Sequence, residues 1–143
     1  MALMIDTSVF VAWERSGTPI DFSPWSHFGS LRISVITISE MLVGVHRADT
    51  EPRRLKRAAF VNSVIAKFPS LDVTADVART HAAAKAKMQM VGQIIGAHDL
   101  IIAATALHHG CTVLTANPSE FTRVPGLNVV ELVHPPRSGR PSS

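Results

Sequence analysis

The stretch Leu3-Met4-Ile5-Asp6-Thr7-Ser8-Val9-Phe10 decides how this chain is read. A short apolar run stops at one carboxylate. Two hydroxyl residues follow, and apolar residues then resume. An apolar run of this length, with no alternation, reads as a strand buried on both faces. An acid at the end of such a strand either caps the next helix or faces a working crevice. One acid does not separate these readings, so companions have to be sought.

Outward from this stretch, strands and helices alternate. The segment TSVFVAWER (7–15) predicts a helix with Val9, Phe10 and Trp13 on one side. LRISVIT (31–37) is a second apolar, β-branched run, and ISEMLVGVHRA (38–48) predicts a helix after it. EPRRLKRAAFVNSVIAKF (51–68) predicts another, with Pro52 in its first turn and Leu55, Ala59 and Ile65 among its apolar positions. SLDVT is a short strand. ADVARTHAAAKAKMQMVG is alanine-rich and helical. HDLIIAATALHHG is a helix that Gly110 terminates, CTVLT is a strand and LNVVEL is another. Short apolar strands alternating with helices predict a three-layer α/β fold, with a parallel four- or five-stranded sheet flanked by helices. One domain is expected over residues 1–133. The end, HPPRSGRPSS (134–143), is rich in Pro, Gly and Ser and is expected to be a flexible basic tail.

The sheet supplies Asp6 with companions. Ser39 and Glu40 follow the second apolar run, Ala116 and Asn117 follow CTVLT, and Asp99 sits in the first turn of its helix. In open α/β sheets the working crevice lies outside the carboxyl ends of the strands. Asp6, Glu40, Asp99 and Asn117 are therefore expected to converge there as catalytic residues. Each also has a plainer role. Thr37 to Glu40 matches a capping box with Thr37 as N-cap. Asp6 can cap the first helix, Asp99 can complement a helix dipole, and Asn117 can be a turn residue before Pro118. Capping does not explain why all four share one edge. Carboxylates gathered together raise one another's pKa unless a cation compensates. An all-oxygen set suits Mg²⁺ or Mn²⁺.

Composition narrows the field. The chain has 143 residues, 46% of them hydrophobic and 17% charged, enough for one real core. No apolar run is long enough to span a bilayer, and no secretory leader is recognisable, so no membrane role and a cytoplasmic address are expected. The single cysteine, Cys111, excludes an internal disulfide framework and a multi-cysteine zinc site. The net charge of +3 leans mildly toward polyanions. Dinucleotide-binding and phosphate-loop glycine motifs are absent, as is H-E-x-x-H among the seven histidines. His98, beside Asp99, could touch substrate. His108 and His109 close a helix, where they suit its dipole.

Taken in order and spacing, MIDTSVF, ITISEMLVGVHRA, HDLIIAATALHHG and VLTANPSEFTRVPGLNV resemble the motifs of PIN-domain ribonucleases, and specifically the VapC toxins of toxin–antitoxin pairs. The likeness runs from about Leu3 to Val130. Carried over residue by residue, it implies a metal site of Asp6, Glu40 and Asp99, with Asn117 at a fourth position that is often Asp. Thr7, Ser8 and Thr115 fall where the family has hydroxyls beside that site, and Glu120 of TANPSEF falls close enough to supply missing charge. The resemblance implies a Mg²⁺-dependent endoribonuclease that cleaves RNA with metal-activated water. It also implies a homodimer, and a cognate antitoxin whose tail fills the active-site groove. Arg53, Arg54, Lys56 and Arg57 form a basic cluster on one helix that could track RNA with Lys85 and Lys87, or could be an ordinary solvated face. The rival readings are a catalytically degenerate PIN-like module that only binds RNA or protein, a small-molecule phosphohydrolase, and a purely structural partner-binding protein.

Overall fold

Leu3, Met4 and Ile5 have no exposed surface, which is the burial that a central strand requires. They belong to β1 (Ala2–Ile5). A computed structural model describes residues 2–133. After β1 come α1 (Thr7–Ser16), a 3₁₀ helix over Ser23–Phe28, β2 (Ser30–Ser34), α2 (Val35–His46) and α3 (Glu51–Lys67). Then follow β3 (Ser70–Leu71), α4 (Ala75–Met90), α5 (Ala97–His109), β4 (Thr112–Thr115), α6 (Pro118–Phe121) and β5 (Val129–Glu131). The five strands lie in the order β3-β2-β1-β4-β5, and every pair is parallel. The expected α/β architecture with a parallel five-stranded sheet is what the chain adopts. The expected tail, 134–143, lies outside the described residues.

Side-chain alternation along β1 divides the core in two. Leu3 and Ile5 enter one cluster with Phe10 of α1, Met41 and Val45 of α2, and Val61 and Val64 of α3. Met4 enters the other, with Ala84 and Met88 of α4 and Ile102, Ala103 and Ala106 of α5. So α1, α2 and α3 cover one face of the sheet, and α4 and α5 cover the other. Burying one Leu or Ile side chain contributes roughly 1.5–3 kcal/mol, so β1 is the most heavily anchored element of the sheet.

Three expectations need correction. Helix α2 begins at Val35, not Ile38, and its N-cap is Ser34, whose Oγ accepts from Ile36 N at 3.0 Å. Thr37 is therefore inside the helix and caps nothing. The β-branched run Val35-Ile36-Thr37 imitates a strand, but the cap and the packing of Met41 and Val45 override that preference. In α3, Leu55 is 56% exposed, and the buried positions are Val61 and Val64. The basic cluster on α3 is largely paired. Arg53 meets Asp49 at 2.9 Å, Arg54 forms an ion pair with Glu51, and Arg57 lies 3.4 Å from Glu14. Lys85 and Lys87 sit on α4, across the sheet from α3, so the six cations do not form one track.

Candidate active site

Strand order reverses around β1. Its neighbours are β2 on one side and β4 on the other, so the carboxyl end of β1 is the topological switch point where a crevice opens. Asp6 is the first residue past that end. Its N–H donates to the Leu114 carbonyl at 2.9 Å, which fixes it against β4. It is also the N-cap of α1, with extended backbone angles. Asp6 is buried, and its Oδ2 accepts from Ser8 Oγ at 2.6 Å, Thr115 Oγ1 at 2.9 Å and Ser8 N at 3.3 Å. Each of those hydroxyls in turn accepts from a backbone amide: Ser8 Oγ from Ala116 N at 2.9 Å, and Thr115 Oγ1 from Asn117 N at 3.0 Å. Among the described residues none of these bonds uses Oδ1, which is left for the crevice. Asp6 thus both caps α1 and lines the cleft.

Glu40 arrives differently. It does not follow the end of β2 directly, as the sequence suggests, but projects from the second turn of α2. Thr7 Oγ1 donates to Glu40 Oε1 at 2.8 Å. His98 Nδ1 stands 3.7 Å from Glu40 Oε2, too far for a direct hydrogen bond. Asp99 lies in the first turn of α5, as its sequence position predicts, and Gly110 ends that helix in the left-handed conformation with φ 67°. Asn117 starts α6 with no side-chain cap bond, and Glu120 follows within α6. Asp6, Thr7, Ser8, Glu40, Asp99, Asn117 and Glu120 line one cleft of about 500 Å³. Thr115 stands behind it as a support.

The electrostatics show how close these acids come. Asp99 is pushed up from its ordinary 3.8 to about 7. Burial is the largest cause, followed by a hydrogen bond with the Glu120 carboxyl and then the charges of Asp6, Glu120 and Glu40. Two carboxyls can share a hydrogen bond only if a proton remains on one of them. Both carboxyls border Gly96, just before α5: a Cβ there would make ordinary contact with Asp99 Oδ2 at 3.5 Å and Glu120 Oε2 at 3.8 Å.

As the side chains lie, no group of three or more His, Cys, Asp or Glu residues among the described ones is placed to hold a metal ion. The donor set nevertheless suits a hard divalent cation in kind. It is all oxygen, and the neighbouring carboxylate charges that add to burial in raising Asp99 are what such a cation would offset.

A PIN-domain family model matches residues 3–127. The chain belongs to the PIN-domain family. It is 38% identical over 130 residues to Ribonuclease VapC1 of Rickettsia felis, an alignment covering 91% of this chain and 96% of that protein. VapBC-5 of Mycobacterium tuberculosis, described as a member of the VapBC family of toxin–antitoxin systems, is 28% identical with a TM-score of 0.71, over 92% of this chain and 97% of that one. VapBC2 of Rickettsia felis bound to a promoter DNA fragment superimposes with a TM-score of 0.80 at 21% identity, over 93% of this chain and all of that one, which speaks for the fold. Within the PIN-domain family the chain is thus a VapC-family toxin of a toxin–antitoxin pair, as its four motifs implied.

Sequence reasoning missed the polar support on α2. Thr37 is fully buried and stands 3.0 Å from Thr7 Oγ1. Its signal was present, a hydroxyl three residues before Glu40, but it was absorbed by the capping-box reading.

Proposed function

We propose that this toxin is a Mg²⁺-dependent endoribonuclease of a type II toxin–antitoxin system, and that Asp6, Glu40 and Asp99 are its metal-binding catalytic residues. The observation that carries this reading is the convergence of these three acids, with Asn117 and Glu120, in one cleft at the strand-order reversal. Mn²⁺ would suit the same oxygen set.

Each group has a separate task. Asp6 presents Oδ1 from a carboxylate whose other oxygen is immobilised by three donors. Glu40 is aimed by Thr7. Asp99 would give up its proton to serve as a ligand were a cation held in the cleft. Asn117 offers a neutral amide oxygen, or donates to a substrate phosphate. Glu120 holds the proton-sharing partner position beside Asp99 and adds charge once that proton leaves. The chemistry a divalent ion supplies at such a site is Lewis acidity toward the phosphodiester and hydroxide generated from water near neutral pH. Hydrolysis by water leaves a 5′-phosphate and a 3′-hydroxyl and needs no 2′-hydroxyl nucleophile.

The partners in this reading are an RNA substrate, a cognate antitoxin protein and a second copy of the chain in a homodimer, in the cytoplasm. An antitoxin segment carrying an arginine fits the cleft, because a guanidinium pairs bidentately with carboxylates and would replace the cation. No helix among the described residues is long and apolar enough to cross a membrane. The test is RNA cleavage by purified protein with Mg²⁺ and with excess chelator, with Asp99→Asn as control. Metal-dependent cutting by the wild type alone is expected. Cleavage that survives chelation, or an equally active Asp99→Asn, would overturn the reading. A folded wild type that never cuts RNA would favour the binding-module reading.

A further inference from the structure

Two threonines lie fully buried inside helices of this protein, Thr105 in α5 and Thr37 in α2. Thr105 does what a buried helical threonine usually does, donating to the carbonyl four residues back, Ile101 O, at 2.8 Å. Thr37 makes no such bond to its own helix among the described residues. Its Oγ1 faces Thr7 Oγ1 across the α1–α2 junction at 3.0 Å. Thr37 is the third residue of α2, with no helical carbonyl four residues back, so its hydroxyl is free to serve a group outside α2.

Thr7 stands as donor toward both Thr37 Oγ1, at 3.0 Å, and Glu40 Oε1, at 2.8 Å. It has only one proton to give. The carboxylate is the nearer acceptor, carries charge and cannot donate in return, so it takes that proton. The contact between the two hydroxyls is then satisfied only by the proton of Thr37. Hydroxyl protons rotate to suit such a demand. We propose that Thr37 is a positioning residue: its buried hydroxyl donates to Thr7, Thr7 donates to Glu40, and this two-hydroxyl chain fixes the Glu40 carboxylate at the cleft. Successive hydrogen bonds polarise one another, so the outer bond tightens the inner one. Thr37 and Glu40 are three residues apart and share one face of α2, which lets a single Thr7 on the first turn of α1 bridge them. The chain also locks the two helices in register at the point where each contributes to the cleft.

The consequence for catalysis rests on the nuclease reading, but the positioning of Glu40 does not, and the experiment separates the two. Thr37→Val removes the hydroxyl with little change of shape, and Thr37→Ser keeps it. Three quantities are read: the carboxyl ¹³C resonance of Glu40 in metal-free protein, the affinity for Mn²⁺ by calorimetry, and RNA cleavage. Thr37→Val should move the Glu40 resonance, weaken Mn²⁺ binding several-fold and slow cleavage by about tenfold, the low end for losing a supporting hydrogen bond behind a metal ligand. Thr37→Ser should recover most of each. In a Thr7→Val background, where the chain is already cut, Thr37→Val should add nothing further. An unmoved Glu40 resonance in Thr37→Val, or equal effects of that substitution with and without Thr7, would overturn the proposal. If the resonance moves and couples to Thr7 while the wild type cuts no RNA, the positioning role stands and the nuclease reading falls.

Discussion

The two walls of the cleft are built on opposite principles. On the β1 wall, Asp6 is buried, and three donors hold its Oδ2, two of them hydroxyls themselves anchored by backbone amides. On the α5 wall, Asp99 faces Asp6, Glu40 and Glu120, and it keeps a proton up to about 7 because of burial and those neighbours. One carboxylate is held in a fixed position by donors that the fold supplies. The other is left in a place where charge is unwelcome until a cation arrives. This difference teaches that a site can be preorganised on one side and loaded on the other. Removing a carboxylate should therefore have opposite effects on stability at the two walls, although it abolishes the same activity.

The largest effect tests that contrast directly. Asp6→Asn and Asp99→Asn should both bring RNA cleavage to background. Their thermal stabilities in metal-free buffer at neutral pH should diverge. In Asp6→Asn the amide can still accept at the helix cap, but it loses the charge that Ser8 and Thr115 support, and a hydrogen bond to a charged group is worth about 1.5–3 kcal/mol. Melting should move down. Asp99→Asn removes a member of a repelling group, so melting should hold or move up. Equal destabilisation in both variants would show that the walls do not differ.

The dependence on pH sharpens the same point. Asp99 keeps its proton to about 7 in the folded protein, against an ordinary value of 3.8 in the unfolded chain. Between those values the folded state binds the extra proton. Its stabilising contribution is complete below pH 3.8 and is lost as pH rises through about 7. If Asp99 is a ligand, divalent-ion binding would expel that proton, and affinity should rise over the same interval. Calorimetric titrations of Mn²⁺ in buffers of different ionisation enthalpy would count the protons released. Affinity that falls as pH rises would contradict the account.

Much of this was legible in the sequence, for physical reasons. β1 and β4 announce themselves as short runs without charged residues or apolar–polar alternation, because a strand buried on both faces has no solvent-facing side to show. The α5 wall is equally plain, since a helix closed by Gly110 fixes where its first turn, and therefore Asp99, must lie. Glu40 does line the cleft, but from a different place on its element than the sequence suggests. Val35-Ile36-Thr37 has strand propensity, and only the Ser34 cap and core packing make it helical. That error hid Thr37. The four-residue α6 is too short to show a helical period, yet it carries Glu120 to Asp99. The pairing of Arg53 with Asp49 was visible as an i,i+4 spacing, and it argues for a solvated helix face.

A smaller effect separates support from ligand on the β1 wall. Thr115→Val removes one donor to Asp6 and the acceptor for Asn117 N. A hydrogen bond to a charged group is worth about 1.5–3 kcal/mol, so losing the one to buried Asp6 should make the protein melt lower. If Asp6 holds the cation, cleavage should fall only about tenfold, as expected for a group behind a metal ligand. Loss equal to that of Asp6→Asn would make Thr115 a direct participant.

The smallest effect concerns the fourth corner, where the α5 wall meets α6. Asn117 contributes no charge, whereas Glu120 stands against Asp99. If Glu120 supplies what Asn117 lacks, Glu120→Gln removes a charge from the loaded cleft and should weaken Mn²⁺ binding. Asn117→Asp adds a charge and should tighten it. One charge a few ångströms from an ion is worth on the order of a few kcal/mol at an effective dielectric near 20, and screening by water reduces that. The two substitutions also pull apart in the metal-free state. Glu120→Gln relieves repulsion and should lower the pKa of Asp99, while Asn117→Asp adds repulsion and should raise it. Cation affinity near neutrality reflects both the charge of the site and the proton that must leave, so the contrast should be clearest above pH 8, where Asp99, at about 7, has already ionised. Mn²⁺ titrations of both variants and wild type at that pH isolate the charge effect. Identical affinities would place Asn117 and Glu120 outside the cation's reach, leaving Asn117 as the turn residue before Pro118 and Glu120 as a local proton partner of Asp99.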